Sequence, residues 1–199
     1  MAEHQFKIAF FGRTGVGKTS TINALFNLKW KVEHGKAATK EQVKELVNIQ
    51  VKGDSFQVLV IDTPGFAEST SADYAMCHQD AAKEADCLFW IYQADVRYFS
   101  ADQKALINLK PVLHPKSTFL IGLNHIDLIH PQNWDSKANI PSSEQMSNIP
   151  IKSSIILDKL QKYLPHQLVP VIPYSAKKGY NLGLILDMFS SMHKGLTNV

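Results

Sequence analysis

The sequence predicts an α/β fold: a doubly wound, six-stranded, mostly parallel sheet with one antiparallel strand and helices on both faces. Three observations predict it. Apolar segments of strand length alternate with segments of helical apolar spacing along the chain, the order expected of strands feeding crossover helices. The first apolar run, Phe6-Lys7-Ile8-Ala9-Phe10-Phe11, leads straight into a glycine-rich turn and then a helical pattern. Two later strand-like segments are joined through Gly53-Asp54, which reads as a hairpin and supplies the antiparallel pair.

Taken in order, the first strand covers residues 6–12, and a helix over 17–28 follows because Ile22, Leu25 and Phe26 recur at helical spacing. The hairpin strands fall near 44–52 and 56–62, with a helix near 72–84. The run Cys87-Leu88-Phe89-Trp90-Ile91-Tyr92 centres a strand over 86–94, where Trp90 is expected to be core and insensitive to ligand. A helix over 101–110 opens at Ser100, with Gln103 three residues on as a capping box. A strand near 117–124 follows. Residues 129–151, rich in Pro, Ser and Asn and containing Pro131, Pro141 and Pro150, read as an irregular surface insertion. A helix near 152–163, a strand near 169–174 and a helix near 181–194 complete the pattern, with no internal repeat.

At 199 residues and 45% hydrophobic side chains the chain suits one domain, large enough to bury a full sheet without disulfides. Cys77 and Cys87 have no C-x-x-C spacing and read as idle or buried thiols, which fits a cytoplasmic protein. The eight histidines stand singly, so no zinc site is expected. The longest apolar run near residue 90 is too short to cross a bilayer, so no integral membrane segment is expected. The net charge of +3 is mild. Lys29, Lys31, Lys36, Lys40 and Lys44 cluster after the first helix, as a solvated loop near a polyphosphate or, less simply, a nucleic-acid surface.

The glycine-rich turn is Gly12-Arg13-Thr14-Gly15-Val16-Gly17-Lys18-Thr19, a G-x-x-x-x-G-K-[ST] phosphate-binding loop followed by Ser20. Glycines let successive backbone N–H groups turn inward around an oxyanion, and the helix that follows adds the positive end of its dipole. Lys18 would reach the β- and γ-phosphates, and the Thr19 hydroxyl would complete a Mg²⁺ shell. In open α/β sheets ligands lie at the carboxyl ends of strands. There stand Asp62-Thr63-Pro64-Gly65, whose carboxylate can hold a water on Mg²⁺ and whose Gly65 N–H can face a γ-phosphate, then Asn124-His125-Ile126-Asp127 and Ser175-Ala176-Lys177.

In this order, the segments resemble the phosphate, magnesium and guanine motifs of the translation-factor-related GTPases, with Era-type, TrmE-type and YfjP-type proteins nearest in character. The resemblance covers nearly the whole chain and implies a single P-loop G domain over 1–199, with switch regions at 29–41 and 63–80, GTP and GDP as ligands and Mg²⁺ as cofactor. It implies that Asp127 accepts from the guanine N1–H and amine, that Asn124 ties the base loop to the phosphate loop, and that the Ala176 N–H donates to guanine O6. It also implies that Thr39 completes the Mg²⁺ shell and meets the γ-phosphate, although an ordinary loop threonine fits there too. Lys18, Thr39 and Gly65 would then carry the catalytic step.

Two positions depart from the general family pattern, and a third from the TrmE-type one. His125 replaces the usual lysine, so weaker binding with unchanged base choice is expected. Phe66 stands where a glutamine would orient water, and a phenyl ring cannot do so, which predicts slow hydrolysis. Gly15 replaces the asparagine that holds potassium in TrmE-type proteins, so activation by that route is not expected. Glu68, as a water-positioning carboxylate, and Arg13, as a cation near the phosphates, are candidate helpers, each more simply read as a solvated switch residue or a surface arginine. A hydrolysing switch with a protein effector or activator is one reading; a nucleotide-dependent interaction or homodimerisation module with negligible hydrolysis is the other. A P-loop ATPase or small-molecule kinase would leave the segments at 124 and 175 unexplained. Ribosome or RNA binding rests on analogy alone.

Overall fold

A computed structural model of the chain describes residues 5–32, 42–66, 72–164 and 169–197. Six strands form one sheet in the order β2-β3-β1-β4-β5-β6. They are β1 (Phe6–Phe11), β2 (Val43–Val51), β3 (Asp54–Asp62), β4 (Cys87–Gln93), β5 (Thr118–Asn124) and β6 (Val171–Pro173). Only the β2–β3 pair is antiparallel; β1 pairs with β3 and β4, β4 with β5, and β5 with β6, all parallel. Lys52 and Gly53 join β2 to β3, both at positive φ (51° and 89°), the conformation that matches strand twist in a tight hairpin.

Alternation along β1 assigns its side chains to two cores. Phe6, Ile8 and Phe10 pack with Ile22 and Leu25 of α1 (Lys18–Phe26) and Ile185 and Phe189 of α5 (Leu182–Thr197). Ala9 and Phe11 face the other layer, with Ala81 and Ala82 of α2 (Ala72–Glu84), Leu106 and Leu109 of α3 (Ser100–Leu109), and Ile149 and Ile156 of α4 (Ser143–Leu160). Central β4 is buried almost throughout, as both faces of an interior parallel strand must be.

The doubly wound architecture is as the sequence predicts; three local expectations are corrected. Residues 143–151, expected to be irregular, form the first turns of α4. A capping box explains the start: the Ser142 hydroxyl accepts from the Gln145 N–H, and the Gln145 side chain accepts from the Ser142 N–H. Pro150 sits inside the helix, its missing donor outweighed by the burial of Ile149 and Ile156. The capping box expected at Ser100 does not form; α3 begins at that residue, and its N-cap Phe99 offers no side-chain bond. Finally, β6 is only three residues long, Val171–Pro173, with the Pro170 carbonyl and the Tyr174 N–H bonding to Ile121 and Leu123 of β5 at its two ends.

Candidate functional site

The carboxyl ends of β1, β3, β5 and β6 converge on the loop between β1 and α1. Within that loop the Lys18 ammonium donates to the carbonyls of Gly12 (3.0 Å) and Arg13 (3.2 Å), which folds the lysine across the loop mouth. Gly17 caps α1 with φ 89°, and a Cβ there would lie 2.5 Å from Asn124 Nδ2, so both conformation and space require glycine. The Val16 side chain is buried beneath the loop, and its carbonyl accepts from Asn124 Nδ2 at 2.9 Å. Thr14, Gly15 and Ser20 complete the loop and the first turn of α1.

Thr19 and Asp62 meet directly: the hydroxyl donates to Asp62 Oδ2 at 2.6 Å. Asp62 Oδ1 is buried without a hydrogen-bond partner, and burial pushes this carboxyl above the usual range against the opposing pull of Thr19 and Lys18. A buried carboxylate oxygen with nothing to accept from, beside a threonine hydroxyl and a phosphate-binding loop, fits a hydrated Mg²⁺, which takes few protein ligands. The described residues contain no cluster of three or more His, Cys, Asp or Glu side chains that would make a protein-only metal cage.

The segment after Asp62 is fixed by side chains. The Thr63 hydroxyl donates to the Phe10 carbonyl (2.7 Å), and His78 Nε2 of α2 lies 2.7 Å from the Pro64 carbonyl. Burial lowers the pKa of His78, favouring the neutral ring. Gly65 rests so closely against the phosphate loop that a Cβ there would collide with the Thr14 hydroxyl and backbone. Phe66 turns inward: its ring stacks on Trp90 (centroids 4.8 Å apart) and lies parallel to Phe11 (6.2 Å), while its N–H donates to the Gly12 carbonyl at 3.3 Å. Trp90 is core as expected, yet it touches the segment that would sense a γ-phosphate, so it is not remote from the site.

At the other end, Asn124 links three segments, donating to Val16 and accepting the Ala176 N–H through Oδ1 at 3.1 Å. The Ala176 N–H, expected for a base carbonyl, is therefore paired with Asn124. Ser175 donates its hydroxyl to Asp127 Oδ1 (2.7 Å) and accepts the Lys178 N–H. His125 adopts φ 61° and brings its ring to the Gly17 edge of the loop; its Nε2 has no hydrogen-bond partner, and burial lowers its pKa despite Asp127 and Asp95 nearby. Lys177 is exposed beside this pocket.

Apart from Thr39, the sequence-predicted site residues are thus gathered on one edge of the sheet. Thr39 and Glu68 lie outside the described residues, as does most of the expected first switch. Arg13 is not aimed along Lys18; its Nε lies 3.7 Å from Asp102 Oδ2 on α3. Three contributors escape sequence reasoning. His78 holds Pro64, and the Tyr174 hydroxyl meets Thr21 of α1 at 2.9 Å. Gln145, fully buried, donates to the carbonyls of Asp127 and Ile129 and so anchors the base loop to α4. Ser142-Ser143-Glu144-Gln145 carried the signal for the last, masked by Pro150.

A sequence model of the family described as 50S ribosome-binding GTPase matches residues 7–125, more than half of the chain. The chain belongs to this GTPase family. GTPase Era of Campylobacter fetus is 32% identical over 169 residues, covering 79% of this chain and 56% of that protein. GTPase Era of Campylobacter jejuni is 27% identical over 192 residues, covering 94% of this chain and again 56% of the relative. The chain thus spans about half the length of these curated relatives. Among solved structures, Toc33 from Arabidopsis thaliana in complex with GDP and Mg²⁺ superposes with a TM-score of 0.72 at 16% identity, covering 97% of this chain and 86% of Toc33. Aquifex aeolicus Era bound to GDP·AlF₄⁻ superposes with a TM-score of 0.66 at 23% identity, over 92% of this chain and 56% of that one. At these identities the superpositions speak for the fold. No helix among the described residues is long and apolar enough to cross a membrane.

Proposed function

We propose that this GTPase domain binds GTP with Mg²⁺ along the described edge, hydrolyses it slowly to GDP and phosphate, and acts as a nucleotide-dependent switch. The observation that carries the reading is the Thr19–Asp62 pair, with one carboxylate oxygen left unpartnered beside a lysine-bearing phosphate loop. Loop N–H groups and the α1 N-terminus take up phosphate charge, and Lys18 exchanges its two loop carbonyls for β- and γ-oxygens. Thr19 and Asp62, with Thr39, would hold Mg²⁺, which neutralises charge on the transferring phosphoryl group when bound. The Gly65 N–H would meet the γ-phosphate. Asp127, its Oδ1 fixed by Ser175, would offer its carboxylate to the guanine N1–H and amine. Adenine would leave polar groups unpaired at roughly 1–3 kcal/mol each.

Slow hydrolysis follows from Phe66, which is committed to the aromatic stack and cannot orient water. Turnover of about 10⁻⁴ to 10⁻² s⁻¹ is expected, in the range of unassisted switch GTPases. With Gly15 in the loop, potassium is not expected to raise it. Residues 29–41 and 63–80 are the proposed switches, read by a protein effector or activator in the cytoplasm; ribosome or RNA contact would come by analogy with the relatives. The same buried Phe66 favours the second reading, a nucleotide-dependent dimerisation module; one solved form of Toc33 is described as a dimerization deficient mutant. Calorimetry with GDP, GTP and ATP, followed by single-turnover hydrolysis of bound GTP, tests both. Equal binding of ATP would refute guanine recognition, and GTP left intact over many hours would leave only the binding module.

A further inference from the structure

Asp102 has no place in the nucleotide site, yet it is a carboxylate at the start of α3 that is 1% exposed. Burying an ion in an apolar layer is costly unless it is paired and hydrogen-bonded, and Asp102 is only partly compensated. Its Oδ1 accepts from the Trp90 indole N–H at 3.1 Å; its Oδ2 makes no hydrogen bond and lies 3.7 Å from Arg13 Nε. Arg13 belongs to the phosphate loop and forms an isolated parallel bridge with Phe66. Trp90 carries the Phe66 ring on its face. The contacts therefore close a ring: Arg13 to Asp102, Asp102 to Trp90, Trp90 to Phe66, and Phe66 back to Arg13.

We propose that Asp102 is a positioning residue that binds the phosphate loop and the Gly65-Phe66 segment into one unit, so that Gly65 is held ready for a γ-phosphate. The proposal rests on the GTP reading above. Because Phe66 is the next residue after Gly65, loosening Arg13 or Trp90 frees the Gly65 N–H to wander. GDP, which ends at the β-phosphate, is indifferent to that freedom. The groups facing Asp102 are Arg13 from the loop and Trp90 and Tyr92 from β4; burial opposes the ionised carboxylate, while the Trp90 N–H, the Arg13 guanidinium and the Tyr92 hydroxyl favour it. Ionised Asp102 holds Arg13, and protonated Asp102 releases it.

The test compares affinity for GDP and for a non-hydrolysable GTP analogue in the wild-type chain, Asp102→Asn, Arg13→Gln and the double variant. Each single variant is expected to lose roughly fivefold in analogue affinity relative to GDP, with little further loss in the double variant, as befits two partners in one contact. Unchanged ratios, or losses that multiply, would overturn the proposal. Wild-type protein that binds neither nucleotide would instead refute the GTP reading, so a second measurement probes the ring without nucleotide. In a Trp30→Phe/Trp134→Phe background, Trp90 emission is expected to titrate in mildly acidic solution. Asp102→Asn should abolish that titration, and Arg13→Gln should move its midpoint upward. A midpoint that ignores Arg13 sinks the linkage whatever the nucleotide data show.

Discussion

Replacing Asp102 by Asn should make the domain more stable at neutral pH, although it is expected to weaken γ-phosphate recognition. Burial holds the Asp102 pKa at about 6, against 3.8 for the free side chain, even with Arg13 and Trp90 pulling it down. A raised carboxylate pKa means the folded chain binds a proton more tightly than the unfolded one, so this residue favours folding below about pH 4 and loses that advantage as pH rises through about 6. The difference of about two pKa units corresponds to roughly 3 kcal/mol at about 1.4 kcal/mol per unit. Asn keeps the acceptor for Trp90 and cannot ionise, and Arg13 is exposed enough to be hydrated when released. A net gain of about 1–3 kcal/mol at pH 7.5 is expected, or a Tm higher by several degrees at roughly 2–4 °C per kcal/mol for a chain of this size. Urea denaturation of both proteins from pH 4 to 7.5 measures it. The curves should converge near pH 4 and separate until about pH 6; a variant that is less stable at pH 7.5, or a gap that does not change with pH, refutes the reasoning.

Lys18→Ala removes the loop's aimed cation, and with charge-assisted bonds worth about 1.5–3 kcal/mol each, GTP affinity by calorimetry should fall at least ~100-fold. Asp127→Asn should narrow the preference for GTP over ATP by an order of magnitude or more while ATP affinity barely moves, as competition binding would show; Ser175→Ala, which frees Asp127 Oδ1 and the Lys178 N–H, should cost about tenfold or less. Gly17→Ala places a methyl group 2.5 Å from Asn124 Nδ2 at a residue with φ 89°. It should break the loop-to-base bridge, lowering thermal stability by several degrees and removing detectable nucleotide binding; retention of both would show that Asn124 yields easily.

Sequence alone determined the architecture and which segments gather at the strand ends, because both rest on local physics. Strand alternation and helical spacing fix which elements form, and a glycine-rich turn between a strand and a helix has one well-known use for its inward N–H groups. The order of Gly12–Thr19, Asp62–Gly65, Asn124–Asp127 and Ser175–Lys177 at strand ends then brought those residues to one edge. The start of α4 was lost because Pro150 is locally a helix breaker, while the buried Ile149 and Ile156 and the Gln145 bonds to the base loop act over distance. That Arg13 lies beside Asp102, that Phe66 stacks on Trp90 and that His78 meets the Pro64 carbonyl were decided only by tertiary structure. Each depends on which side chains from α2, α3 and β4 arrive beside the loop. Burial then opposes the charged forms of Asp62, His78, Asp102 and His125.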